Sequence, residues 1–192
     1  MIRDNFTLPD GWQWYKLDNL ITRISNGISE NKDDIEGLPV TRIETISHGT
    51  VNLKKVGFLK NVDSETVSKY RLLKGDILFS HINSDSHIGK TAIFDLKDTI
   101  LLHGINLLLI RSNQKLVIPK FLNYVLNFYR KIGIFAHISN HAVNQASINQ
   151  ANLKDIDIAL PSIKKQNDIV TIFDKLNNLK LIISYFLKKF SQ

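Results

Sequence analysis

The strongest constraint on this chain lies near its end. Ile169, Ile172, Leu176, Leu179, Ile183, Phe186 and Phe190 recur at alternating steps of three and four residues. That is the a/d spacing of a heptad repeat. No Pro or Gly interrupts it after Pro161, and Ser162 can cap a helix by accepting from its first-turn N–H groups. The spacing predicts one helix over 163–190, about 42 Å long at 1.5 Å per residue. Val170, Phe173, Ile182 and Leu187 widen the apolar stripe. A lone helix of this length is marginal in water. Each large apolar side chain gains about 1.5–3 kcal/mol on burial, so seven left in water forfeit more than about 10 kcal/mol. The helix must therefore lie against something. One reading packs it back on its own domain. The reading we favour pairs it, parallel or antiparallel, with another helix. The sequence stops two residues past the seam, so that helix is expected from another polypeptide.

The residues before it read as short strands and helices rather than as a repeat. Leu8-Pro9-Asp10-Gly11-Trp12 is a turn followed by an aromatic anchor. Leu17–Ile24 is a short helix or strand, and Val40–Ile43 a short strand. Asp76–Ser80, Thr91–Phe94, Thr99–Leu102 and Leu107–Arg111 are strand candidates, β-branched or aromatic and bounded by Gly, Asn or Asp. Ile118-Pro119 opens a helix, with Phe121, Val125, Phe128, Ile132 and Phe135 at helical spacing. His137–Ile148 reads as an Asn-rich loop with a helical remnant, and Ile156–Leu160 as a last strand closed by Pro161. The fold class expected is α+β, with a globular domain over 1–161 and a pairing helix over 162–192.

With 192 residues the chain can bury a real core, and it has no cysteine for disulfides or thiolate metal sites. No apolar signal segment opens it and no run of about 18 apolar residues occurs, so a soluble, cytoplasmic protein without a membrane partner is expected. Net charge is +7, which favours an anionic partner, nucleic acid first. The excess is uneven: from Ile163 onward there are six lysines and two aspartates, so the globular part is only mildly basic.

Catalytic patterns fail one by one. Gly89-Lys90-Thr91 invites a phosphate-loop reading, but the glycine needed five positions earlier is Ser84, and a strand follows instead of a helix. His137 and His141 have the spacing of a zinc-peptidase pair, but Ile138 stands where the general base belongs. Asp33, Asp34, Glu36 and Glu44 lie in a solvated loop and make a poor magnesium site. Neither a Gly-x-Ser-x-Gly elbow nor a glycine-rich methyl-donor loop is present. We expect binding without catalysis: no catalytic residue, no metal and no cofactor on this chain.

The stretch Leu-Lys-Gly-Asp-Ile-Leu-Phe-Ser over 73–80, then Asn83-Ser84 and Ile88-Gly89-Lys90, resembles the target-recognition domain of type I restriction–modification specificity subunits. Leu8-Pro9 with Gly11-Trp12 resembles the start of that domain, and the segment from Gly37 to Arg42 its next element. Ile148-Asn149-Gln150 with Leu153, then Leu160-Pro161 and Gln166, is similar to the junction with the spacer helix. The chain departs at His81, where Arg is frequent, and at Ser162 and Lys165, where Pro and Glu are usual. Family members usually carry two recognition domains and two spacers, so this resembles a half-length form. The resemblance implies a domain that reads one half of a bipartite double-stranded DNA site and a helix that sets the distance between halves. It also implies a methyltransferase subunit using S-adenosylmethionine and a restriction subunit using ATP and Mg, both docked on the scaffold.

Base edges are read by short polar and basic side chains on loops. Candidates are Arg42, His48, His81, Asn83, Ser84, Lys90, Thr91, His103, Asn140, His141, Asn144 and Gln145. Lys90 and Arg42 lead, because cations carry the salt-dependent part of DNA affinity. Asn and Ser also serve turns for local hydrogen-bonding reasons, so each is equally explained as a surface turn residue. The helix is expected to pair with a second copy or with another half-subunit. A different class of function also fits: an interaction or regulatory module of a restriction system that acts through its helix and reads no DNA.

Overall fold

A computed structural model describes residues 3, 6–29, 35–84, 87–142 and 145–190. The elements run β1 (Gln13–Lys16), α1 (Leu17–Leu20), β2 (Ile21–Asn26), β3 (Leu38–Thr41), a 3-10 turn (Ile43–Ile46), β4 (Val56–Leu59) and α2 (Ser64–Tyr70). Then come β5 (Ile77–Phe79), β6 (Ile82–Asn83), β7 (Thr91–Ile93), β8 (Leu108–Ser112), α3 (Pro119–Lys131) and α4 (Ile134–Ile138). The last are β9 (Asn140–Ala142), β10 (Gln145–Ser147), α5 (Gln150–Lys154), β11 (Asp157–Leu160) and α6 (Ile163–Phe190). The architecture is α+β with a long C-terminal helix.

A four-stranded antiparallel sheet, in the order β2-β8-β5-β7, forms the centre. Its two middle strands are apolar on both faces, because successive side chains alternate sides. Ile77 and Phe79 of β5, with Leu108 and Ile110 of β8, enter the core shared with α3, α4 and α5. Leu78 and Leu109 point the other way, against Ile46, Leu72, Phe94 and Leu101. That double burial is why β5 and β8 read as unbroken apolar runs. One buried charge accompanies them. Asp76 accepts two 2.7 Å bonds from the Arg111 guanidinium and a third, also 2.7 Å, from the Leu73 backbone N–H. A carboxylate so paired satisfies the condition for holding charge in an interior.

The helix before the polar loops differs from the sequence expectation. It ends at Lys131, and Gly133 (φ +82°) turns the chain into α4. Its buried line is Phe121, Leu122, Leu126 and Tyr129, whereas Phe128 and Ile132 are more than 40% exposed. Tyr129 wins the inward place because its hydroxyl can donate to the Asp157 carbonyl at 2.7 Å. Thr99–Leu102 is not a strand; Leu102 makes only isolated bridges to Val40 and Arg71. The region expected as a loop holds α4 and the β9–β10 pair. The expected aromatic anchor leads into β1, which pairs antiparallel with β11 and so ties the start of the domain to the strand that precedes α6.

That last helix packs on its own domain at its base and leaves most of the seam exposed. Ser162 Oγ accepts from Lys165 N at 3.4 Å. Gln166, fully buried, accepts from Ile118 N (2.9 Å) and donates to Leu116 O (3.1 Å) and Pro161 O (3.0 Å). Ile169 and Val170 pack on the core, and Phe173 lies 5.1 Å from the Tyr124 ring. Asp174 takes a 2.7 Å ion pair from Lys120 and a 2.6 Å bond from Tyr124 Oη. The base of α6 is therefore clamped to its own domain. The a/d residues beyond Ile169 look elsewhere: Ile172 (56%), Leu176 (56%), Leu179 (53%) and Ile183 (50%) are exposed. At about 100° per residue, the 166/170/173/177 line and the seam sit roughly 120° apart around the helix. No helix among the described residues is long and apolar enough to cross a membrane.

Candidate nucleic-acid interface

The polar insert between β5 and β7 is a braced loop. Ser80 N donates to Lys90 O and Gly89 N to Ser80 O, both at 2.8 Å, which closes its neck. His87 N and Ile88 N both donate to Ser84 O. Gly89 has φ +72°, and a Cβ there would lie 2.3 Å from Phe135 Cδ2. The glycine of Gly-Lys-Thr is thus a packing glycine, pressed onto the aromatic floor that α4 supplies.

The backbone collects most of the candidates. β6, β10 and β9 form a three-stranded sheet that sets Asn83 opposite Ala146, and Ala146 opposite His141. Ile148 N donates to His81 O at 2.8 Å and seals the junction. Ser84 and Asn140 are exposed at this end of the domain, and Ser84 Oγ lies 3.3 Å from His87 Nδ1. Asn144 lies outside the described residues, as do the side chains of Asn83, His141, Gln145 and Phe190.

A second group sits beside the loop neck. Lys90 Nζ donates to Ser47 O at 3.2 Å, next to exposed His48. Burial and the like charge of Arg130 hold the Lys90 ammonium below its ordinary pKa. Two cations at close quarters prepare a place for an anion. Arg42 begins the same segment, half-buried ahead of the 3-10 turn, with its backbone N–H bonded to Thr45 Oγ1 at 2.8 Å. Arg130 was not among the sequence candidates, because forty positions of chain separate it from Lys90.

Three candidates are not at the surface. His103 is fully buried and donates from Nε2 to Leu107 O at 2.9 Å, so no base edge can reach it. Thr91 is fully buried and accepts from Asn127 Nδ2 at 2.8 Å. His81 is 6% exposed; its Nε2 faces Asn26 Nδ2 at 3.4 Å, and Asn26 Oδ1 accepts from Gln150 Nε2 at 2.7 Å. That network makes Nε2 the acceptor and leaves the proton on Nδ1, which has no partner. Burial pushes both imidazoles down to about 4, so they are neutral at pH 7. Held in this way, the three are interior packing residues. His137 and His141 fall on different elements, α4 and β9, and not on one helical face.

The model of the type I restriction modification DNA specificity domain matches residues 9–185. A Methanocaldococcus jannaschii protein assigned as the MjaX type I restriction enzyme specificity subunit is 45% identical over 174 residues, 90% of this chain and 41% of the relative. The EcoBI specificity subunit of Escherichia coli is 26% identical, over 90% of this chain and 37% of its own length. The chain thus spans about two fifths of these relatives. Among solved structures, a chain from a type I restriction–modification assembly matches with TM-score 0.68 at 19% identity, covering 93% of this chain and 41% of that one. The specificity subunit from Thermoanaerobacter tengcongensis matches with TM-score 0.59 at 17% identity, covering 91% and 39%. Fold and sequence agree, and the chain belongs to the family of type I restriction modification DNA specificity domains.

Proposed function

We propose that this chain is a DNA-reading specificity module that recognises one half of a bipartite site. The observation that carries the reading is the placement of a braced polar loop and the β9–β10 pair on one sheet, beside the Lys90–Arg130 cations. Base discrimination falls to Ser84, Asn140 and their neighbours on β6, β9 and β10, whose side-chain types suit groove edges. Lys90, Arg42 and His48 contact phosphates and set the register on the duplex. Two such domains, held apart by paired α6 helices, read a split site, since a helix of about 42 Å exceeds one DNA turn of about 34–36 Å. The chemistry belongs to partners: a methyltransferase subunit with S-adenosylmethionine, and a restriction subunit with ATP and Mg, both using this chain as scaffold.

Selection of duplexes from a random library, by the chain alone and with a methyltransferase subunit, tests the reading. An interrupted motif with a fixed gap is expected. A stable protein complex that enriches no sequence would refute it and favour an interaction module that acts through α6.

A further inference from the structure

A groove away from the polar loop is built like a small-molecule site. It holds about 850 Å³ and runs between the segment that leads into β1, α3 and the base of α6. Sites for small organic ligands span about 300–1,000 Å³, with apolar and aromatic walls and a few placed polar groups. The walls here include Trp12, Trp14, Phe121, Tyr124, Phe128 and Phe173. Trp12 is tilted against Phe121 with ring centroids 6.4 Å apart, and Tyr124 against Phe173 at 5.1 Å. Rings set at such angles offer both faces and edges to a flat aromatic guest. Two polar features narrow that guest. Asn123 lines the groove and is 8% exposed, yet its Oδ1 is shielded from water and accepts no hydrogen bond among the described residues. An acceptor left unpaired in this way costs about 1–3 kcal/mol, and a guest N–H would supply the missing donor. The charge at the groove is of one sign: Lys120 and Lys131 line it, and among the described residues no Asp or Glu does. Asp174 already holds Lys120 at 2.7 Å. Exposed Lys131 is left, about 12 Å along α3 from Asn123.

We propose that this groove binds a flat aromatic anion of two or three rings. Its rings lie among Trp12, Trp14 and Phe128, an N–H donates to the Asn123 amide, and its acid group sits on Lys131. None of the candidate DNA-reading residues lines the groove, so the site is separate from the polar loop and needs no DNA. A bound guest touches the 6–14 segment, α3 and the base of α6 at once, and so holds that base to its domain.

Anilinonaphthalene sulfonate is the probe, because it joins two aromatic systems through an N–H and carries one anionic group. Phenylnaphthylamine is the same framework without the sulfonate. Both tryptophans of the chain line the groove, so quenching of their emission reads occupancy. The full chain should be quenched saturably by the sulfonate. Lys131→Gln should weaken that binding about two- to fivefold and leave the neutral dye unaffected. Asn123→Ala should weaken both dyes about two- to tenfold. It should not lower the urea midpoint, because the amide oxygen it removes has no partner. The exposed seam of α6 is the competing apolar surface, so Leu179→Lys/Ile183→Lys is the control and should change neither affinity. Quenching that does not saturate, or that only the seam variant alters, overturns the proposal. So does an unchanged sulfonate affinity in either Lys131→Gln or Asn123→Ala. A lowered midpoint for Asn123→Ala would make its amide a structural group and overturn the role assigned to it.

Discussion

Replacing Gly89 by alanine probes the loop neck through one methyl group. Two costs add. The residue sits at φ +72°, where an L side chain costs about 1–2 kcal/mol. The new Cβ would also fall 2.3 Å from Phe135 Cδ2, 2.8 Å from Cγ and 3.0 Å from Cβ. Phe135 cannot simply yield. It is 1% exposed and packs edge-on against Phe79 with ring centroids 4.9 Å apart. Overpacking of that kind costs about 1–3 kcal/mol. Gly89→Ala should therefore destabilise by about 2–5 kcal/mol, a large share of the roughly 5–15 kcal/mol a domain possesses. Gly133→Ala is the control: φ is +82°, with nothing within 4 Å of the added Cβ, so only the backbone cost of about 1–2 kcal/mol applies. Urea unfolding of both variants, and of Gly89→Ala in a Phe135→Ala background, separates the two terms. With the ring gone, the alanine should cost no more than the control, which leaves a coupling of about 1–3 kcal/mol. Equal costs for Gly89→Ala and Gly133→Ala, or strict additivity with Phe135→Ala, would refute the packing argument.

Stability should fall on acidification, because His81 and His103 sit near pKa 4 folded and near 6.5 unfolded. The unfolded chain takes up their protons first, so about 2 kcal/mol per histidine is lost between pH 7 and 5. Urea midpoints at both pH values for a His81→Gln/His103→Gln variant should show a shallower dependence, and an unchanged slope counts against it. Gln166→Leu strands Ile118 N, Leu116 O and Pro161 O. It should cost about 2–4 kcal/mol and speed amide exchange in the first turns of α6; native exchange rates there would contradict the clamp. Lys90→Ala should weaken binding to all duplexes alike and lower the salt slope by about 1. A change confined to one sequence would make Lys90 a base reader instead.

The parts legible in the sequence were those where one physical term dominates. β5 and β8 announced themselves because strands buried on both faces must be apolar nearly throughout. α6 did so because large apolar residues at steps of three and four, with neither Pro nor Gly among them, fit one continuous helix. The α3 face was misread because two aromatic lines compete there, and a single hydroxyl, that of Tyr129, decides between them. His103 looked like a loop residue because it precedes a glycine. Yet Gly104 is where two backbones touch: a Cβ there would collide with the Thr41 carbonyl, and that close approach buries the imidazole beside it. Packing of α6 on its own domain was one of two readings of the sequence, but the residues that fasten it, Gln166, Asp174 and Asn177, carried no signal. Hydropathy assigns those residues to water.

These contacts give α3 a place in the argument that its sequence does not suggest. Near its C-terminal end, Asn127 bonds Thr91, and Arg130 stands close enough to Lys90 to depress its pKa. Near its N-terminal end, Lys120 and Tyr124 grip Asp174, while the Ile118 N–H that caps it grips Gln166. One helix of 13 residues, about 20 Å long, thus touches both the neck of the polar loop and the root of α6. Its buried line packs on the central sheet along the way. On the proposed split-site reading, the polar loop and α6 must keep one mutual orientation, and ordinary loops would not supply it. A short helix fastened by charge-assisted bonds and the buried Gln166 amide at one end, and by the half-buried Asn127 amide at the other, does, which is why the polar residues at its two ends matter as much as the apolar ones between them.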